Sequence, residues 1–433
     1  MTDALATPLT RRLLLGLLAA AGLPTSAALT SCAADLDLVR AAIEREPAEA
    51  AVRPTVTTSL SDFTGSVLAG LDRSTNLICS PLSVQVALAM VRNGAAGTTA
   101  TEMDRALRYP PLDDLNAGLN TLDQLLAART ATIEHGARTG KVRLDLVNQV
   151  FGETTLTWAK ELLDALARFY GTGIATADFL EHGDAERRTI NAWVADQTQD
   201  TITDLLAPGI VNQLTRLVLV NAIYLKAPWL EEFPAAQDGD FRTDDTTVTA
   251  KMMSRTFATR GGRGRGWTAA QIPYLGGELA MTVILADEGA EDGLVASFGD
   301  GELHRILTEL PDGVEVTLTM PTWTYRSSFE LGPLLSELGM PTAFTDRAEF
   351  PGLTDDELLL IEKVVHQGWI AVDEQGTEAS AATAVVMVPS SAPAPDDRLA
   401  LTLDRPFWYV IHDLPTATPL LAGRVADPTS RPE

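Results

Sequence analysis

The spacing of apolar residues divides the chain into a mainly helical first half and a strand-rich second half. Phe63, Val67 and Leu71 recur every four positions, so 60–71 is predicted to be an amphipathic helix. Residues 76–79 read as a brief strand leading into a helix through Val91. Ser80 is a good N-cap there, Pro81 suits the first helical position, and Asn93-Gly94 end the run. Further helices are predicted at 98–107, where Thr99 and Glu102 have capping-box spacing, and at 112–129, 159–170 and 185–199. Residues 142–151 alternate as a strand. The nearly continuous apolar run LVLVNAIYL, 217–225, marks a central strand buried on both faces. From 248 to 320 strands alternate with turns around a helix at 301–310, and another helix is predicted at 329–338. Strand-like text returns at 369–373, 399–403 and 406–412. Such segregation of helices and strands predicts an α+β fold.

One stretch fits neither period. Residues 374–395, EQGTEASAATAVVMVPSSAPAP, carry no charge between Glu378 and Asp396 and no helical stripe. A connection of roughly twenty residues without structure of its own is uncommon in a compact domain and usually functional. Read at period two, Thr377, Ala379, Ala381 and Thr383 share one face, and all four are small. The segment therefore suits a loop, and equally a strand sliding into a sheet at little steric cost.

Composition narrows the function. The chain has 433 residues, 45% hydrophobic and 21% charged, with a net charge of -25. So acidic a surface argues against nucleic acid or an anionic membrane as the main partner. RGGRGRG, 260–266, is the local exception and reads as a flexible basic loop. Two cysteines, Cys32 and Cys79, exclude a disulfide scaffold and a CxxC site, and Cys79 reads as a small core hydrophobe. Before Cys32, Arg11-Arg12 precede an apolar run from Leu13 to Ala21, and Leu29-Thr30-Ser31-Cys32 looks like a bacterial lipobox. Residues 1–32 are thus expected to be an export signal of twin-arginine and lipoprotein type, with Cys32 acylated. Simple cleavage near Ala34 is the competing reading. Residues 33–57, Ala/Glu-rich with Pro47 and Pro54, read as a short helix and linker, and 58–433 as the folded domain. An exported, extracellular or cell-envelope protein is expected, anchored through Cys32 to membrane lipid.

Enzymatic motifs are missing. The five histidines form no HxxH or HExxH pair, so no metal site or cofactor is expected, and G-x-S-x-G, Walker and strand-led GxGxxG patterns do not occur. His366, inside EKVVHQGWIAV, reads as a hydrogen-bonded core histidine. Ser80 and Ser83 read as capping or buried polar partners rather than nucleophiles.

Taken together, five segments resemble the serpin family. Residues 76–99 look like its N-x-x-x-SP-x-S segment, 219–229 (LVNAIYLKAPW) like its L-V-N-A-I-Y-F-K-x-x-W, and 372–383 like its hinge V-x-E-x-G-T-E-A-A-A-A-T. Residues 406–413 and 419–428 (PLLAGRVADP) are similar to its last strands. The resemblance implies three β-sheets with about nine helices, an exposed reactive-centre loop, and a monomeric suicide inhibitor of proteases rather than an enzyme. It places Glu374, Gly376, Thr377, Glu378, Ala379, Ser380, Ala381, Ala382 and Thr383 in the hinge. Ser80, Ser83, Asn221 and His366 match the shutter, the polar cluster that must part for strand insertion, and Trp229 matches the breach, the insertion point. A non-inhibitory serpin-fold binding protein is the alternative, but such a protein would not need a hinge made only of small residues. In one departure, Met320-Pro321 is followed by Thr322 where the family often has a lysine to pair with the hinge glutamate, here Glu374.

Family spacing places the scissile bond at Ser390–Ser391, with Met387–Val388 and Ser391–Ala392 as alternatives. Bonds that precede proline are poor substrates. With no Arg or Lys nearby, the expected targets are serine proteases of elastase-like or subtilisin-like specificity. A papain-like cysteine protease is the weaker option.

Overall fold

The computed structural model describes residues 36–136, 138–378 and 398–430. Among them, three sheets and nine α-helices give the expected α+β architecture. The largest sheet has eight strands. Across it run Leu38–Val39, Ile174–Ala177, Arg138–Glu153, Leu217–Pro228, Gly376–Thr377, Val365–Val372 and Trp323–Glu330, with Ala131–His135 paired beside Arg138–Glu153. Leu217–Pro228 is central, as its unbroken apolar text predicts. A second sheet of six strands carries the C-terminal strands Phe407–Asp413 and Thr418–Val425, and a third has four strands.

A single core joins the three sheets. Leu144, Ile223, Ala227 and Ile370 of the large sheet meet Ile272, Met281 and Tyr409 of the second and Met253, Val316 and Leu318 of the third. The opposite face of the large sheet is covered by the helix Phe179–Gln197, whose Phe179, Ile190 and Val194 pack on Val147, Phe151, Val220 and Ala222. Cys79 is buried and free. Burial pushes its thiol up to about 12, so it behaves as the core hydrophobe expected.

Several sequence expectations are corrected. The first helix starts at Pro54, not at 60. Upstream of it there is no short helix among the described residues, and 36–53 is not a free linker. Arg45 Nε donates to Asn120 Oδ1 at 2.8 Å and its guanidinium pairs with Asp123 at 2.7 Å, while Glu49 N–H donates to Thr121 Oγ1. These specific partners lay the segment along the helix Leu112–Ala127. Thr99 and Glu102 form no capping box: Thr99 Oγ1 accepts from Glu349 N–H, and the Glu102 carboxylate accepts from Thr342. Phe329 belongs to the strand Trp323–Glu330 instead of starting a helix, and the helical turn begins only at Gly332. The basic stretch is a hairpin arm, Gly261–Gly264 pairing with Trp267–Pro273.

The strand Gly376–Thr377 fixes the position of the site. Only two residues long, it sits between strands of twelve and eight residues. Gly376 pairs with Pro228, and Thr377 pairs with Ala227 on one side and Val372 on the other. Beyond that pair no ladder among the described residues joins Leu217–Pro228 to Val365–Val372.

Candidate functional site

A tight turn delivers the hinge into the sheet. After Val372 the chain reverses over Asp373 to Gly376. Asp373 Oδ1 accepts from Gln375 N–H at 2.8 Å and Gly376 N–H at 3.1 Å, and Asp373 N–H donates to Gly376 O at 3.0 Å. Gly376 has no room for a side chain. A Cβ there would lie 2.3 Å from Ala227 O and 2.7 Å from Pro228 Cα. Thr377 follows with only 2% of its surface exposed, and its Oγ1 is 2.6 Å from Tyr274 Oη. Its side chain faces the core, so the period-two face of small residues points inward at its first member.

Trp229 fastens this corner. Fully buried, it donates from Nε1 to Asp373 O at 2.9 Å and from its backbone N–H to Gln375 O at 2.8 Å. Its ring stacks on Tyr274, centroids 4.5 Å apart, and meets Phe233 edge-on at 6.3 Å. Glu374, whose usual lysine partner is replaced by Thr322, is held by backbone instead. Its Oε1 accepts from Ala236 N–H at 2.8 Å and its carbonyl from Phe233 N–H at 2.8 Å.

Glu378 ends the described hinge. Its φ of +50° is left-handed, uncommon for a residue with a Cβ, and its N–H donates to Ala371 O at 2.7 Å. Burial pushes its carboxyl above the ordinary glutamate range, while the Tyr224 hydroxyl, Lys226 and Arg143 pull the other way.

The four residues matched to the shutter cluster beneath the sheet. Ser80 N–H donates to His366 Nε2 at 2.9 Å, which leaves the ring proton on Nδ1, 3.0 Å from Asn221 Oδ1. Ser80 Oγ accepts from Ser83 N–H at 3.3 Å and lies 2.9 Å from Ser83 Oγ. All four residues are buried, so none is an accessible nucleophile. His366 thus joins Ser80, the N-cap of the helix Pro81–Arg92, to the strand Leu217–Pro228 across the line where no ladder among the described residues joins the two sheet halves. Ala379, Ser380, Ala381, Ala382 and Thr383, the bond Ser390–Ser391 and Cys32 lie outside the described residues.

Sequence reasoning did not single out Tyr274, Asp373 or the Ala236 amide. Asp373 stands three residues before the hinge Gly376, a turn signal open to reading. Tyr274 and Ala236 reach the hinge only through the fold.

A pH response follows from the shutter. Burial lowers His366 from its ordinary 6.5 to about 4, and burial with the nearby Arg260 lowers His412 to about 3. Below pH 6.5 the unfolded chain takes up protons that the native state refuses. Stability present above that pH is therefore lost as pH falls toward 4, at about 1.4 kcal/mol per unit for each histidine. Urea midpoints between pH 7 and pH 4.5 should fall accordingly, and less steeply in His366→Gln.

The chain is similar to known proteins. The family model for serpin (serine protease inhibitor) matches residues 58–428. The leukocyte elastase inhibitor of Sus scrofa is 32% identical over 366 residues, covering 82% of this chain and 93% of its own. A serpin-like protein of Thermococcus kodakarensis is 32% identical over 379 residues, 86% of each chain. Among solved structures, a thermophilic serpin, tengpin, in the native state superposes with a TM-score of 0.78 at 24% identity, over 90% of this chain and 99% of that one.

Proposed function

The chain belongs to the serpin family of protease inhibitors, and on that premise we propose that it is a suicide inhibitor of serine endopeptidases. The protease serine attacks the carbonyl of the loop bond, Ser390–Ser391 in our reading. An ester to the protease forms, the peptide C–N bond breaks, and the new amine leaves with a proton from the protease. The freed N-terminal arm then enters the large sheet as a strand between Leu217–Pro228 and Val365–Val372. About fourteen residues at about 3.3 Å each carry the acylated protease on the order of 45 Å, to the far end of the sheet. Distortion there outruns hydrolysis of the ester.

One observation supports this reading above the rest. The first two residues of the arm, Gly376 and Thr377, are already paired with neighbouring strands, in register and with the small-residue face inward. Insertion is then continuation of an existing strand, without a costly new nucleus. The loop chemistry points to elastase-like or subtilisin-like proteases, in keeping with the name of its animal relatives. We place the protein outside the cytoplasm, anchored through Cys32.

Incubation with elastase or subtilisin should give a complex stable to SDS and a released C-terminal fragment of about forty residues, whose mass fixes the bond. Loop cleavage with full recovery of protease activity and no complex would overturn the proposal.

A further inference from the structure

The hinge strand stops at one residue, and that residue is charged. Thr377 is in extended pairing, whereas Glu378 is left-handed, and its amide is tied to Ala371 O. Antiparallel register decides where Glu378 goes next. Gly376 faces Pro228 and Thr377 faces Ala227, so one further step sets 378 opposite Lys226. Thr377 and Ala227 point into the core, which puts 378 and 226 together on the outer face. Lys226 itself faces Arg143 on the next strand, and Arg143 pairs with Asp145, which faces Tyr224. The outer face therefore places two cations on neighbouring strands, with Lys226 one strand spacing from the place a straightened Glu378 would occupy.

We propose that Glu378 is the positioning residue that starts insertion: its left-handed turn stops the strand after Thr377, and its straightening seats the carboxylate against Lys226 and Arg143. The inference rests on the inhibitory reading above and names the first step of that process. Already in the turned-out state the carboxylate is half-buried among Tyr224, Lys226 and Arg143, with Oε2 buried and unbonded. The same side chains thus hold it before and after the backbone straightens, and the turn relaxes without releasing the charge to water. Small size explains the inward Thr377; this row explains the outward residue beside it.

Charge exchange provides the test. Glu378→Lys places three cations in one row and should raise the moles of inhibitor consumed per protease trapped by roughly five-fold or more, while the acylation rate stays unchanged. Lys226→Glu should give the same shift from the other strand, and the double variant Glu378→Lys/Lys226→Glu should return the value toward wild type. Rescue by the swap separates the row from a general loss of fold. A wild type that traps nothing removes the function, and this inference with it. A wild type that traps protease, beside single variants of unchanged stoichiometry or a swap without rescue, overturns this inference alone.

Discussion

Thr377→Arg is expected to convert the protein from an inhibitor into a substrate. Thr377 sits between Ala227 and Val372 with 2% of its surface exposed, and its hydroxyl meets Tyr274 at 2.6 Å. A guanidinium there would be buried against an aromatic stack with no carboxylate to receive it. Leaving a buried charge uncompensated costs on the order of 3–5 kcal/mol. The variant escapes that cost by keeping 376–377 out of the sheet, and every later residue of the arm is then denied its template. Insertion should slow on the order of a hundred-fold or more, while the ester hydrolyses at its usual rate. The loop bond is still offered, so cleavage continues. At equimolar inhibitor the protease should recover full activity and SDS gels should show cut inhibitor with no complex. A stable complex at wild-type stoichiometry would mean that Thr377 does not pass through the sheet.

That Thr377 turns inward was open to reading because size and period are local properties. Thr377, Ala379, Ala381 and Thr383 can be compared along the sequence without knowing the fold. The same holds for 217–225, whose continuous apolar text marked a strand buried on both faces. What stayed hidden depends on distant partners. Tyr274 lies about a hundred positions from Thr377, and nothing in its neighbourhood announces a hydrogen bond to the hinge. The replacement for the lost lysine is the backbone N–H of Ala236, a group every residue but proline possesses, so no residue type could signal it. The strand Trp323–Glu330 was missed for a related reason. Pro321 interrupts the run before it, and buried Ser327 breaks the apolar alternation because its hydroxyl serves Ile78 N–H. Residues 36–53 look like spacer by composition, yet Arg45 and Glu49 find partners on a helix some seventy positions on. Conformation was equally silent at Glu378, whose left-handed backbone no residue type announces.

Trp229→Ala should be the most damaging single change at the corner where the strand enters. The side chain is fully buried, stacked on Tyr274 and edge-on to Phe233, and its Nε1 holds the Asp373 carbonyl at 2.9 Å. Truncation leaves a ring-sized cavity under the turn and an unsatisfied carbonyl at its first residue. Large-to-small changes of this kind cost about 3–5 kcal/mol. Trp229→Phe keeps most of the volume and loses the hydrogen bond, so its cost should be nearer about 1 kcal/mol. The two variants separate packing from tethering in urea midpoints measured at neutral pH. Function should follow a different order. The backbone bond from Trp229 N–H to Gln375 O survives both substitutions, so the register of Gly376 and Thr377 is kept, and freshly prepared variants should still trap protease. Loosening the corner lowers the barrier between the turned-out and inserted loop, so inhibitory activity should decay faster on mild warming, most in Trp229→Ala. Unchanged midpoints and unchanged decay in Trp229→Ala would show that the hinge is fastened by its backbone pairing alone.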